Sequence, residues 1–250
     1  MKNVKIYIAT HKVAQFPKCE IYTPIQVGAC NKEKFAKVTD DTGKNISSKN
    51  PNYCELTAAY WIWKNDKSDI TGLTHYRRYF FKTNTNKLEK VLNKEDIEEI
   101  LNNYDIIVPE KTCLLKYKNL KEAYYNIHNG EDWEKCKNIV IQKYSDYKEA
   151  FEKMEKQRKF YACNMFITSK EKFDEYYKWL FDILFELENE IDITNYSNYN
   201  KRIYGFLSER LFNVWLNKNN LKIKEMPVYN TDKKIASEYI VNKIKNIIVR

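Results

Sequence analysis

His75-Tyr76-Arg77-Arg78-Tyr79 places one imidazole and two adjacent guanidiniums at the end of an apolar run. Adjacent arginines at a strand end are costly to bury without an anion, and their forked donors match phosphate oxygens in pairs. A solvated basic edge with tyrosines on the guanidiniums is the plainer alternative. Thr39-Asp40-Asp41-Thr42-Gly43-Lys44-Asn45-Ile46-Ser47 is a polar loop. Its side chains suit the hydroxyls of a ribose, and suit a surface turn equally well. Lys49-Asn50-Pro51-Asn52-Tyr53-Cys54-Glu55 opens a helix, where free N–H groups favour an anion. Asn52 and Glu55 also have the spacing of a capping box. His128 and Asp132 would face each other on a helix, but Gly130 between them argues for a turn and a weak metal pair. Asn164 sits among apolar neighbours and must be satisfied by backbone or by substrate. Glu209, beside Arg210 in an apolar helical stretch, is a candidate general base or half of an ion pair.

The elements that must position these groups follow from the hydrophobic pattern. Val4 to Ala9 reads as a buried strand ending in Thr10-His11-Lys12, and Ile25 to Ala29 is a second short apolar run. Tyr53 to Lys64 repeats its apolar residues at spacings of three and four, as a helix does. Asp69 to Thr74, Tyr104 to Pro109, Phe160 to Thr168 and Leu221 to Val228 read as strands. Helices are expected over Leu88 to Asn103, twice within Leu120 to Lys156, over Lys170 to Glu190 and over Arg202 to Asn217. Alternating strands and helices imply an α/β fold with a largely parallel sheet. Ligands gather at the C-terminal ends of such strands, so the loops after Ala9, Thr74, Val108 and Thr168 are the places to search. Residues 1–232 form one domain in this reading, and residues 233–250 a basic amphipathic helix.

The composition narrows the partners. The chain has 250 residues, 43% of them apolar and 31% charged, which excludes wholesale disorder. Five Gly and five Pro exclude collagen and Pro-rich adaptors. The net charge of +9 favours an anionic partner, and 20 tyrosines make nucleic acid one option. Cys19, Cys30, Cys54, Cys113, Cys136 and Cys163 form no CxxC or CxxH pair and read as reduced and structural. The first residues are too short an apolar stretch for a signal peptide, and no run approaches the roughly 20 apolar residues of a membrane span, so a cytoplasmic protein is expected. Walker, GxGxxG, GxSxG and HExxH motifs do not occur, nor does a zinc-finger or RNA-recognition signature.

Three blocks together resemble a bacterial family once catalogued as a domain of unknown function, found in capsule and exopolysaccharide gene clusters and regarded as glycosyltransferases. They are Asp41 to Ser47 with Asn50 to Thr57, then Gly72-Leu73-Thr74-His75-Tyr76-Arg77-Arg78-Tyr79-Phe80, then Gly205-Phe206-Leu207-Ser208-Glu209-Arg210-Leu211. Thr10-His11-Lys12, Asn164-Met165-Phe166 and Trp179-Leu180-Phe181 look like the same family; Lys44 departs from it where an acidic residue is expected. The resemblance implies a GT-A-like nucleotide-diphospho-sugar transferase fold. It also implies transfer of a hexosyl group, galactofuranosyl or galactosyl in some relatives, from a nucleotide-sugar donor such as a UDP-sugar to a growing or lipid-linked glycan. Enzymes of that fold usually hold the diphosphate through Mn²⁺ or Mg²⁺ on an Asp-x-Asp, and here His75-Tyr76-Arg77 stands in that place. On such a fold Thr10, His11, Asp40, Asp41, Asn45, Asn50, Arg77 and Arg78 are read as holding the donor. In the same reading Asn164, His128 and Asp132 face the acceptor, and Glu209 is the base of an inverting transfer. His75 is left as metal ligand, phosphate donor or orienting group. A noncatalytic nucleic-acid-binding or scaffold protein is the competing reading, with no nucleic acid expected of the transferase.

Part of the +9 lies in residues 233–250, where Lys233, Lys234, Lys243, Lys245 and Arg250 face only Glu238. Ala236, Ile240, Ile244, Ile247 and Ile248 form an apolar stripe that would lie on an anionic membrane at the inner face of the cell, or pack on the core.

Overall fold

The computed structural model describes residues 2–232, so expectations about residues 233–250 lie outside the described residues. The chain opens with β1 (Val4–Thr10), β2 (Tyr22–Gln26) and β3 (Val38–Thr39), then α1 (Asn50–Tyr53) and α2 (Leu56–Asn65). Next come β4 (Ile70–His75), β5 (Arg78–Phe80), α3 (Lys94–Leu101), β6 (Ile106–Pro109) and β7 (Thr112–Cys113). Three helices follow, α4 (Leu120–Ile127), α5 (Gly130–Lys143) and α6 (Lys148–Lys156), then β8 (Lys159–Phe160) and β9 (Phe166–Ser169). The described chain closes with α7 (Lys170–Glu190), α8 (Ile203–Asn219), β10 (Ile223–Met226) and β11 (Val228–Asn230).

The main sheet runs β10-β6-β9-β4-β1-β2-β3, with β5 and β11 appended beyond β4. Strands β1 to β4 are parallel, as are β6 and β10, while β9 pairs antiparallel with both β4 and β6. Within that seven-strand path β9 alone is reversed. The expected α/β fold with a mostly parallel sheet flanked by helices is what forms.

Strand β1 shows why both faces are covered. Tyr7 and Ala9 enter the core under α2, α7 and α8, while Val4, Ile6 and Ile8 enter a second core on the opposite face. A period of two sends alternate side chains to opposite faces, and a strand with apolar residues on both faces needs cover on both. Most of the aromatic content goes into these cores. Phe166 on β9 stacks on Tyr177 of α7 at 5.7 Å and on Phe212 of α8 at 5.1 Å. Tyr7, Tyr53, Tyr79, Tyr124, Tyr176 and Tyr177 are all fully buried. In all, ten of the 20 tyrosines are buried, where they pack the interior and offer no stacking surface. Among the described residues no helix is long and apolar enough to cross a membrane.

Several expected elements break where local chemistry intervenes. The single helix over Tyr53 to Lys64 is two, α1 and α2, separated by Cys54 at φ +52°. The helix over Leu88 to Asn103 starts only at Lys94, because Asn93 and Asp96 form a capping box there. The strand over Phe160 to Thr168 splits around Cys163 at φ +65°. Two expected helices before it are three. Gly130 does not make a turn; it opens α5, capped by the Asn129 side chain.

Candidate functional site

A cleft of about 530 Å³ opens at the carboxyl ends of β1 and β4, lined by His11, Asn50, His75, Arg77, Arg78 and Glu209 among others. The parallel register sets Ala9 of β1 beside His75 of β4, so the residues that follow both strands emerge together. His11 accordingly meets Tyr76 edge to face at 5.2 Å. Because β9 is reversed, its beginning, not its end, reaches this edge. Cys163 lies in the cleft wall, whereas Thr168 pairs with Thr71 near the start of β4. The loop after Thr168 is therefore on the far side, contrary to expectation.

Among the described residues neither Arg77 nor Arg78 has a carboxylate partner, although Arg77 lies over the Tyr76 ring at 5.3 Å, the contact the plainer alternative expects. Arg77 Nε and His75 Nε2 are buried without a hydrogen-bond partner. Burial, with Arg78 and Arg77 alongside, pushes the His75 pKa down to about 3, so its imidazole is neutral. Burial and the neighbouring Lys12, Arg77 and Lys32 also lower the pKa of His11. Arg202 joins the cleft wall and donates from Nε to Cys54 Sγ at 3.1 Å.

Two carboxylates line the same space. Glu209 Oε1 accepts from the Cys163 backbone N–H at 3.2 Å, and Oε2 pairs with Arg210 at 3.1 Å. Burial pushes its pKa up; Arg210, the Cys163 N–H and Arg78 oppose that, while Glu55 adds to it. Both readings of Glu209 thus coexist: it is ion-paired and it faces the cleft. Glu55 was expected to complete a capping box with Asn52. Instead Asn52 donates to the Lys201 carbonyl, and Glu55 Oε1 receives the Asn164 side-chain amide at 2.7 Å.

The other expected site residues lie elsewhere. Asp40 is fully buried and uses both oxygens on the loop after β2, taking Gly28 N–H at 2.7 Å, Ala29 N–H at 3.0 Å and the Ser47 hydroxyl. Asp41 accepts from Thr39 Oγ1 at 2.6 Å and pairs with Lys34 at 2.9 Å; the Thr39 bond holds its carboxyl below the usual range. Asn45 bridges the Gly43 carbonyl and the Ser47 N–H. That polar loop satisfies itself and does not line the cleft. Thr10 is buried and donates to the Lys12 carbonyl. Asn50 lines the cleft while donating to the Cys54 carbonyl at 2.8 Å. His128 and Asp132 do not pair. The first contacts Asn200 at 3.0 Å and stacks on Phe206, and the second accepts from Tyr196 at 2.7 Å. Burial lowers the His128 pKa and raises that of Asp132. Asn164, 2% exposed, lies behind the cleft wall.

Glu55, Arg202, Cys54 and Cys163 are the cleft residues that the sequence reading missed. Glu55 carried a signal, the Asn-x-x-Glu spacing, but that spacing has a commoner meaning in capping. No local pattern marks Cys54 or Cys163 for positive φ.

Among the described residues no three His, Cys, Asp or Glu side chains gather as a metal-holding set. Around His75 the nearest charged groups are guanidiniums, which repel a cation, whereas Mn²⁺ and Mg²⁺ favour clustered oxygen ligands. The residues here do not fit such an ion.

A covered α/β sheet with a basic cleft at its carboxyl edge defines the class, and comparison with known proteins gives it a family. Residues 5–220 match the family described as Domain of unknown function (DUF4422), and the chain belongs to it. A solved structure titled as the apo form of WbbM, a bifunctional glycosyltransferase, superposes with a TM-score of 0.86 at 34% identity. The match covers 92% of this chain and 46% of that one, so the chain spans about half the length of that enzyme. No curated protein matches this chain. The match bears out a family catalogued as a domain of unknown function and a fold like that of a glycosyltransferase; it is not specific to capsule assembly.

Proposed function

We propose that the chain transfers a hexosyl group from a nucleotide-diphospho-sugar to a hydroxyl of a glycan. The observation that carries this reading is the pair Arg77 and Arg78, without carboxylate partners, in one cleft with Glu209. As the bond from sugar to diphosphate breaks, negative charge grows on the leaving oxygens. Fixed guanidiniums stabilise that charge without reorganising. Neutral His75 adds a hydrogen bond to a phosphate oxygen through Nε2. Glu209 takes the proton from the attacking acceptor hydroxyl, its raised proton affinity suiting that task. The cation that a metal would supply is supplied here by arginine, so the transfer proceeds without added Mn²⁺ or Mg²⁺.

The finer reading is a UDP-linked donor carrying galactose or galactofuranose and an acceptor in capsule or exopolysaccharide assembly. A lipid-linked acceptor at the inner face of the cell membrane would suit the basic residues 233–250. The similarity to a bifunctional glycosyltransferase over half its length supports transfer in general.

The test is a thermal-shift panel of nucleotide sugars with and without Mn²⁺, followed by product analysis with a lipid-linked acceptor. The expected result is stabilisation by UDP-sugars in EDTA, and loss of turnover with retained donor binding in Glu209→Gln. Steeply salt-dependent RNA or DNA binding with no response to any nucleotide sugar would overturn the proposal.

A further inference from the structure

The diphosphate and the acceptor proton have partners in this scheme, but the hexose ring has none. We propose that Glu55, aimed by the buried Asn164, accepts a hydrogen bond from a hydroxyl of the transferred hexose and so sets which sugar is used. This rests on the transferase reading above.

The backbone delivers Glu55 to the cleft. Cys54 at φ +52° breaks the helix, and Glu55 begins α2 without capping it. Its carboxylate is left to reach sideways, where Asn164 Nδ2 fixes Oε1 at 2.7 Å. Among the described residues Oε2 has no donor. Asn164 is held by similarly unusual backbone. Cys163 at φ +65° turns the chain just before β9, so its own N–H meets Glu209 while the next side chain meets Glu55. Two consecutive residues therefore set both cleft carboxylates.

The arrangement is expensive. Asn164 is 2% exposed and its Oδ1 is buried with no partner. An unpaired buried carbonyl loses its hydration without compensation, and such exceptions call for an explanation. Here the return is a carboxylate held in one orientation. An ionised carboxylate only accepts hydrogen bonds, and it repels phosphate. With Arg77, Arg78 and Arg202 on the same cleft, the phosphates go to the guanidiniums and the hydroxyl-bearing ring goes to Glu55. Asn164 acts through Glu55 and is a positioning residue.

The experiment compares two probes on the full chain, UDP and the UDP-hexose that stabilises the wild type most. Calorimetric titration of Glu55→Ala and Asn164→Ala should leave UDP affinity as in wild type. The extra affinity contributed by the hexose should fall by about 10-fold or more in Glu55→Ala and by a smaller factor in Asn164→Ala. The double variant should lose no more than Glu55→Ala alone, a non-additivity that a merely structural asparagine would not give. Glu55→Gln, which keeps the shape, guards against misfolding and should lose the same preference between hexoses. Equal losses for UDP and UDP-hexose, or wild-type affinity for both, would overturn the assignment. A wild-type chain that binds no UDP-hexose would instead count against the transferase reading itself.

Discussion

Two segments looked alike as ligand loops, Thr39 to Ser47 and His75 to Arg78. They differ in what their polar groups already hold. The first is closed: Asp40 spends both oxygens on Gly28, Ala29 and Ser47, Asp41 on Thr39 and Lys34, and Asn45 on Gly43 and Ser47. The second is open: His75 Nε2 and Arg77 Nε are buried and unpaired, and the arginines lack carboxylates. Residue types that bind hydroxyls and phosphates also bind backbone. What marks a site is the balance left after the fold has used them.

That contrast can be broken in four ways. The largest effect is expected from Arg77→Ala with Arg78→Ala. Transfer should fall by about 10³-fold or more, roughly 4 kcal/mol of transition-state stabilisation, while the unfolding midpoint barely moves. Steady-state kinetics beside thermal melts would show it. Asp40→Ala should do the reverse. It strands buried N–H groups and should cost about 3 kcal/mol in denaturant unfolding, with donor KM unchanged for the folded fraction. A donor KM that rises as much as stability falls would return Asp40 to the ligand.

The third test is pH. His75 titrates at about 3 in the fold against an ordinary value of 6.5, so between these the unfolded chain binds more protons. Its contribution to stability is therefore complete above pH 6.5 and is lost as pH falls toward 3. His75→Gln should flatten that part of the stability profile. Separately, the acid limb of wild-type turnover should lie above the ordinary glutamate value, following the raised Glu209. The smallest effect is Asp41→Ala, which removes a pair with the half-exposed Lys34, expected to change stability by about 1 kcal/mol and kinetics not at all.

Much of this was legible in the chain. Helix α7 spans the Lys170–Glu190 that its apolar stripe predicts, and Ser169 caps it. The His75 to Arg78 block was readable because adjacent guanidiniums have few inexpensive places in a fold. Glu55 was not readable as a cleft residue, since its true neighbour, Asn164, is 109 residues away. The positive φ of Cys54 and Cys163 is imposed by tertiary packing, and nothing in their own side chains asks for it. The reversal of β9 also escaped notice, because an apolar run carries no direction. That one missing bit moved a searched loop to the wrong edge.

The place of β9 has a consequence for how the molecule is made. It inserts between β4 and β6, strands that end at His75 and Pro109, yet it starts only at Phe166. During synthesis the first half of the sheet emerges with a gap at its centre, exposing the flank of β4 until the late strand arrives. Such long-range closure slows folding and leaves a bare strand edge that invites association with other chains. The same late segment carries Cys163 and Asn164, so the cleft gains its carboxylate clamps in the step that seals the sheet. A ribosome-stalled chain ending before β9 should therefore be sticky, bind chaperones and lack the contacts that hold Glu55 and Glu209.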